Sequence, residues 1–226
     1  MLTALDWLAL EVKYLERASE FYATHLRLPT SRTTATERAF QVGDTELVLR
    51  EPSTVPRGGV HTHFAFSTPA EEYQSWFERL ASRFDLVEHE FGTYRSLYFD
   101  DPDGHCVEIG QSETTGDRLT GIFEIVFEVE DMERAEAFYT ALGASVVDRG
   151  ETRRRIRLDA GPVEIELWEP QLGLADARGG VHLDVGFETH DPDAAVEAVA
   201  SVACSVERFD SGARVCDPDG HYLTFT

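Results

Sequence analysis

The chain has 226 residues, 42 acidic against 20 basic, for a formal net charge of −22 at pH 7. A polyanion of this strength repels phosphate backbones and acidic lipid surfaces, which excludes nucleic acid and membranes as partners. The length allows one or two domains with well-buried cores.

The acid is spread along the whole chain, and Lys13 is its only lysine. That balance resembles proteins of salt-loving organisms, where high ionic strength screens self-repulsion, so a halophilic source is expected. Cys106, Cys204 and Cys216 form no close pair, which predicts a reducing, cytoplasmic setting and no disulfide framework. Neither a signal peptide nor an apolar run near the roughly 18 residues of a membrane span is expected.

In chain order, residues 7–12 alternate and predict a strand; residues 15–26 have helical spacing at Leu15, Ala18, Phe21, Tyr22 and Leu26. Residues 39–42 and 46–50 read as strands parted by a Gly43-Asp44 turn. A strand at 60–66 opens a second unit, whose helix over 69–84 is expected to use Thr68 as its N-cap and Pro69 as its first residue. Strands at 94–100 and 106–110 close that unit around the tight turn Asp101-Pro102-Asp103-Gly104. After a polar linker at 112–121 come a strand at 124–129 and a helix capped by Asp131 and ended by Gly143. Strands at 154–158, 163–168 and 181–187 follow, then a helix capped by Asp191 with Pro192, and strands at 213–216 and 222–225.

The two halves repeat. ERASEFY at 16–22 returns as ERAEAFY at 133–139, and GGVHTHFAF from Gly58 returns as GGVHLDVGF from Gly179. DPDGH from Asp101 returns from Asp217, and REP at 50–52 answers WEP at 168–170. The nearly constant offset marks a duplication. Each half holds a strand–helix–strands unit twice. The expected fold is therefore α+β: four βαβββ modules paired into two cup-shaped domains, residues 1–112 and 121–226, with 113–120 as linker.

Strand parity assigns the faces. His61, His63, Ala65 and Ser67 share one side of their strand, and Phe64 and Phe66 the helix side; Trp7, Ala9 and Glu11 oppose Leu8, Leu10 and Val12. The polar rows collect on the concave side, where a small molecule would bind, and each half is expected to complete its own cup. His105 and His221, in the turns, are expected to face solvent.

With the ERAxxFY unit, the HFAF strand and the DPDGHCVE turn-and-strand, the chain resembles the vicinal oxygen chelate superfamily. This superfamily includes glyoxalase I, type I extradiol dioxygenases and the bleomycin-resistance proteins. Residues 87–108 also resemble the extradiol dioxygenase signature, filled by His89, Leu97-Tyr98, the Asp101–Gly104 turn and Glu108. The resemblance implies metal ligation by His63 and Glu108, with His89 and Tyr98 as acid/base helpers. It places the usual first-strand ligand at Trp7, which cannot bind a metal. His61, two residues before His63 on the same strand face, is the expected substitute. Val48 stands where a glutamate would complete an isomerase-like set. Trp7, Arg50 and Tyr94, where they face the bowl, would suit a flat or anionic aromatic substrate. In the second half the equivalent positions hold Glu124, Glu166, Asp184 and Thr224, and that half is expected to be structural.

What the resemblance implies is a metal-dependent oxidoreductase similar to extradiol ring-cleaving dioxygenases. It would use Fe(II) or Mn(II), or another divalent metal, on a small molecule such as an aromatic vicinal diol. Two alternatives stay open: a metal-free binding protein of the bleomycin-resistance type, which Trp7 in the ligand slot favours, and a lyase or isomerase of the glyoxalase type. A monomer or homodimer is expected.

Overall fold

The computed structural model describes residues 2–52, 62–151, 154–170 and 184–226. Four modules follow one another. The first runs through β1 (Leu2–Glu11), α1 (Leu15–His25), β2 (Thr30–Thr33), β3 (Glu37–Val42) and β4 (Thr45–Arg50). The second runs through β5 (Thr62–Pro69), α2 (Tyr73–Ala81), β6 (Val87–Phe91), β7 (Tyr94–Asp100) and β8 (Cys106–Ser112). In the third are β9 (Gly121–Glu128), α3 (Met132–Ala141), β10 (Ser145–Arg149), β11 (Arg155–Asp159) and β12 (Glu164–Trp168). The fourth holds β13 (Asp184–Thr189), α4 (Pro192–Val199), β14 (Ser205–Phe209), β15 (Gly212–Cys216) and β16 (Tyr222–Phe225). Each is a strand, a helix and three strands, the α+β pattern of four βαβββ modules. No described helix is long and apolar enough to cross a membrane.

The strands form two curled sheets, in the orders β14-β15-β16-β13-β1-β4-β3-β2 and β10-β11-β12-β9-β5-β8-β7-β6. The first, cup A, joins modules one and four; the second, cup B, joins modules two and three. Both cups therefore draw four strands from each half of the chain, and neither half closes a cup alone. The joints are antiparallel and share one register. Trp7 lies opposite Gly186 and Ala9 opposite Asp184 in cup A; Glu124 lies opposite Ala65 and Val126 opposite His63 in cup B.

The helix side ties each half together instead. Tyr22, fully buried on α1, donates to Asp101 Oδ2 at 2.8 Å, and Tyr139 on α3 donates to Asp217 Oδ2 at 2.9 Å. Asp101 Oδ1 also accepts from the backbone N–H groups of Asp103 and His105, as Asp217 Oδ1 does from Asp219 and His221. Next along each turn, Asp103 accepts from the Lys13 backbone N–H, and Asp219 from that of Glu130. The tyrosine of ERAxxFY and the first aspartate of DPDGH are thus two ends of one buried clamp. A hydrogen bond to a charged group is worth about 1.5–3 kcal/mol, which gives a physical reason for both motifs to recur together. Around the clamp, Phe21 of α1 packs on Phe84 at 5.4 Å, and Phe84 on Phe99 of β7 at 5.6 Å.

Two local expectations are corrected. His105 and His221 are buried, at 2% and 0% exposure. His105 Nδ1 sits 2.8 Å from Asp101 Oδ2, and His221 Nε2 donates to the Glu128 carbonyl at 2.9 Å. Thr68 and Pro69 do not start a helix: β5 runs through them, paired with Gln111 and Ser112 of β8. α2 begins at Tyr73 with no side-chain cap. Sheet pairing wins there, since proline is tolerated at the end of a strand. Asp131 does cap α3, accepting from the Glu133 and Arg134 backbone N–H groups, and Asp191 caps α4 through the Ala194 N–H.

Candidate metal centre

The parity of β5 turns Phe64 and Phe66 into the helix-side core and leaves His63 on the concave floor of cup B. Register then decides what His63 meets. It lies beside Cys106 on β8, two residues from Glu108, and opposite Val126 on β9, two residues from Glu124. Its Nε2 is 3.1 Å from Glu108 Oε2 and 3.6 Å from Glu124 Oε1, and the three candidate donor atoms all lie within 4.8 Å of one another. All three residues are buried, at 2%, 4% and 5% exposure.

These donors suit a divalent cation. Oxygen or nitrogen ligands about 2.1 Å from a metal and at right angles to each other lie about 3 Å apart, close to the 3.1 Å between His63 Nε2 and Glu108 Oε2. His63 Nδ1 faces the Cys106 carbonyl oxygen at 3.2 Å. A proton donated there leaves Nε2 as a lone pair aimed at both carboxylates. Burial alone would push the His63 pKa down; the contacts with Cys106, Glu108 and Glu124 outweigh it and hold it well above the ordinary 6.5. A proton in this position is what a cation displaces on binding.

The fourth position of cup B holds Glu166, but it is already engaged. Glu166 accepts from Arg155 Nη1 at 3.0 Å, Arg157 Nε at 2.8 Å and Trp168 Nε1 at 2.6 Å. Arg157 also reaches Glu124 at 3.3 Å. The two arginines balance the excess of buried carboxylate and leave His63, Glu108 and Glu124 as the donor set.

A cavity of about 300 Å³ opens over His63, Glu124 and Glu166, lined in addition by His89, Phe91 and Tyr98. The Tyr98 ring stacks on His63 at 5.6 Å and meets the exposed His89 edge-on at 5.3 Å. Burial, followed by the nearby Glu108 charge, pushes the Tyr98 phenol well up, so it stays a proton donor. His63, Glu108, His89 and Tyr98 therefore come together as the sequence suggested. Trp7 and Arg50 do not join them; both line cup A. Tyr94 is exposed, donates to Glu113 at 3.0 Å and lines neither cavity. His61 lies outside the described residues. The third candidate donor is Glu124, supplied by β9 and not by β1. The sequence marks Glu124 as equivalent to Trp7; what it hides is that β9, not β1, lies beside β5.

Cup A shows the same positions without the donors. Its floor carries Trp7, Val48, Asp184 and Thr224, with Trp7 and Val48 packed in a small apolar cluster with Ala9 and Ala39. Asp184 is tied to Arg50 Nη1 at 2.5 Å and to the Thr224 hydroxyl at 3.4 Å. The cavity is wide, about 750 Å³, and Glu37, Glu51 and Glu207 line it besides Asp184, yet among the described residues only cup B gathers a His/Glu/Glu cluster.

Residues 4–109 match the family model described as the Glyoxalase/Bleomycin resistance protein/Dioxygenase superfamily. A metallothiol transferase FosB of Staphylococcus epidermidis (strain ATCC 12228 / FDA PCI 1200) is 29% identical over 128 residues, 52% of this chain and 87% of that protein. The enzyme of the same name from Staphylococcus saprophyticus is 26% identical over 126 residues, 53% and 83% of the two chains. Among solved structures, a Bacillus subtilis protein aligns over 99% of this chain and 84% of its own, at 17% identity and TM-score 0.77. Glyoxalase I from Zea mays aligns over 98% and 91%, at 18% identity and TM-score 0.69, which speaks for the fold alone. Residues 4–109 thus carry the sequence pattern of the glyoxalase, bleomycin-resistance and dioxygenase superfamily, and the whole chain shares the fold of glyoxalase I from Zea mays.

Proposed function

We propose that the chain is a divalent-metal-dependent enzyme acting on a small, oxygen-chelating molecule in cup B. The observation that carries this is the convergence of His63 Nε2 with the Glu108 and Glu124 carboxylates on one buried floor. A bound cation would supply Lewis acidity to a substrate oxygen. Tyr98 is placed to donate a hydrogen bond to that substrate, and His89, exposed at the rim, to exchange a proton with solvent. Arg155 and Arg157 hold Glu166 and Glu124 in place and leave cationic edges on the cavity wall.

One imidazole with two carboxylates is harder and more anionic than the two-imidazole, one-carboxylate triad that suits oxygen-activating iron. This favours Mn(II) or a similar ion, and group transfer, elimination or isomerisation. The relatives named metallothiol transferases support the same direction. Extradiol cleavage of an aromatic vicinal diol with Fe(II) or Mn(II) is the second reading, favoured by His89 and Tyr98 lining the metal cavity together. Cup A, with the Trp7 indole on its floor, supports metal-free binding of a flat molecule in addition. We take residues 1–112 and 121–226 as the two duplicated units, each lending modules to both cups. One chain then supplies every donor without a second copy. The lack of a close pair among Cys106, Cys204 and Cys216 in the sequence supports a reducing, cytoplasmic setting, and the −22 charge a high-salt one.

The test is metal analysis of protein prepared without chelators and offered Mn(II), Fe(II) and Zn(II). About one equivalent should bind, be lost in Glu124→Gln and His63→Ala, and survive His61→Ala. Full retention in Glu124→Gln would remove the proposed centre. The loaded protein is then assayed with catechols under air, and anaerobically with a thiol and an electrophile. A ring-opened product that needs oxygen selects the second reading, and a thioether formed without oxygen the first.

A further inference from the structure

Away from both cups, a cavity of about 360 Å³ lies where the end of α1, the β3–β4 turn, α2 and the 113–120 linker meet. Arg27, Arg79 and Arg118 line it with a single carboxylate, Asp117, and with Leu28 and Pro29 as apolar wall. In a chain with 42 acidic residues against 20 basic, arginines here are expected to find carboxylates. Among the described residues Arg118 pairs only with Asp117, at 3.8 Å, both well exposed. Arg27 and Arg79 form no ion pair among the described residues. Arg79 lies over the Trp76 indole at 4.4 Å, and its Nη1 is buried without a hydrogen-bond partner. Burial and then the Arg27 charge pull its pKa down, against a weaker pull from Glu72.

The backbone adds an independent observation. Arg27 is the only non-glycine residue with positive φ among those described, at 54°. It sits just past α1, where the Leu28 N–H bonds back to the Tyr22 carbonyl. At the same point after α3 stands Gly143, with φ 99°, and the Ala144 N–H bonds back to the Tyr139 carbonyl. A left-handed residue closing a helix is a glycine's place. The duplicate module obeys that rule; the first module carries a strained arginine instead, beside a second unpaired one.

We infer that this cavity is an anion site, in which Arg27 and Arg79 together take the oxyanion head of a small organic phosphate or carboxylate while Leu28 and Pro29 cover its apolar body. Guanidinium forks match such heads in geometry as well as charge. A bound anion would satisfy the orphaned Nη1 and offset the mutual repulsion of the two arginines.

The test uses the full chain and phenyl phosphate as probe, at low chloride and constant ionic strength, read as the shift in Tm. A saturable rise is expected, with a weaker one for inorganic phosphate, which lacks the apolar body. Half-saturation should move up at least tenfold in Arg27→Gly and in Arg79→Met, and stay put in His63→Ala, which separates this cavity from cup B. Arg27→Gly should also melt higher than the parent without probe, as strain is released. No saturable rise, an equal rise in Arg27→Gly, a rise abolished by His63→Ala, or a lower probe-free Tm for Arg27→Gly would each overturn the assignment.

Discussion

Cup A and cup B are built on equivalent strands in the same register, yet only one gathers candidate donors. Opposite Ala65, cup B puts Glu124; opposite Gly186, cup A puts Trp7. A Cβ added at Gly186 would fall 2.3 Å from the Trp7 indole, so the missing side chain is what lets the ring lie on the floor. The counterpart of His63 is Asp184, held by Arg50, and the counterpart of Glu108 is Thr224. The scaffold therefore does not dictate chemistry. Four inward-facing positions do, and each cup fills them with a self-consistent set: carboxylates with an imidazole, or an indole with a neutralised acid.

The largest effect that could break this contrast is on metal uptake. Replacing His63 by Ala or Glu124 by Gln should weaken binding at least about 100-fold, since loss even of a residue that only orients a ligand costs about 10- to 100-fold. Trp7→Phe should leave titrations of bound metal unchanged. Equal losses from both cups would mean the contrast is wrong. Next comes Gly186→Ala, which overpacks the floor of cup A and should cost about 1–3 kcal/mol by urea unfolding. Metal stoichiometry should stay intact, and Trp7→Ala on the same chain should recover much of the loss.

Tyr22→Phe probes the link between the cups, because Tyr22 belongs to a module of cup A and Asp101 to one of cup B. Losing a buried hydrogen bond to a carboxylate should cost about 2 kcal/mol, with Tyr139→Phe similar. A smaller effect depends on pH. Burial lowers the His105 pKa, but the Asp101 charge and hydrogen bond outweigh it and hold it above 6.5. Burial likewise raises Asp101, and His105 and Tyr22 outweigh it to leave it below 3.8. The raised histidine stabilises the fold fully below 6.5 and less as pH climbs through its folded value; the depressed aspartate does so above 3.8 and less as pH falls through its own. The stability gap between parent and His105→Asn should thus be widest between those limits and narrow in alkali. Stability curves at several pH values decide it. The smallest effect is expected for Tyr94→Phe, which should leave Tm, metal content and turnover as they were.

Much of this was legible in the residues. ERAxxFY and DPDGH are two halves of one clamp, so their spacing marks the modules, and the alternation around His63 and Glu108 gives their common face. Four edge strands escape notice: β2, β6, β10 and β14 are short, with little or nothing buried, and carry no alternating apolar signal. The identity of the third donor escapes for another reason. Which module closes against which is fixed by packing between distant strands, and no local pattern in β1 or β9 states its neighbour.

The module order has a kinetic corollary. Cup B is closed by Ala65 meeting Glu124, neighbours across one short crossing of the chain, whereas cup A must bring Trp7 to Gly186 and Leu2 to Thr189. One is nested inside the other like an inner pair of brackets. Loop-closure entropy then sets an order of events, with the contiguous inner pair assembling first and the chain ends zipped last around it. A nascent polypeptide could assemble the His63, Glu108 and Glu124 cluster before β1 and β13 have found each other.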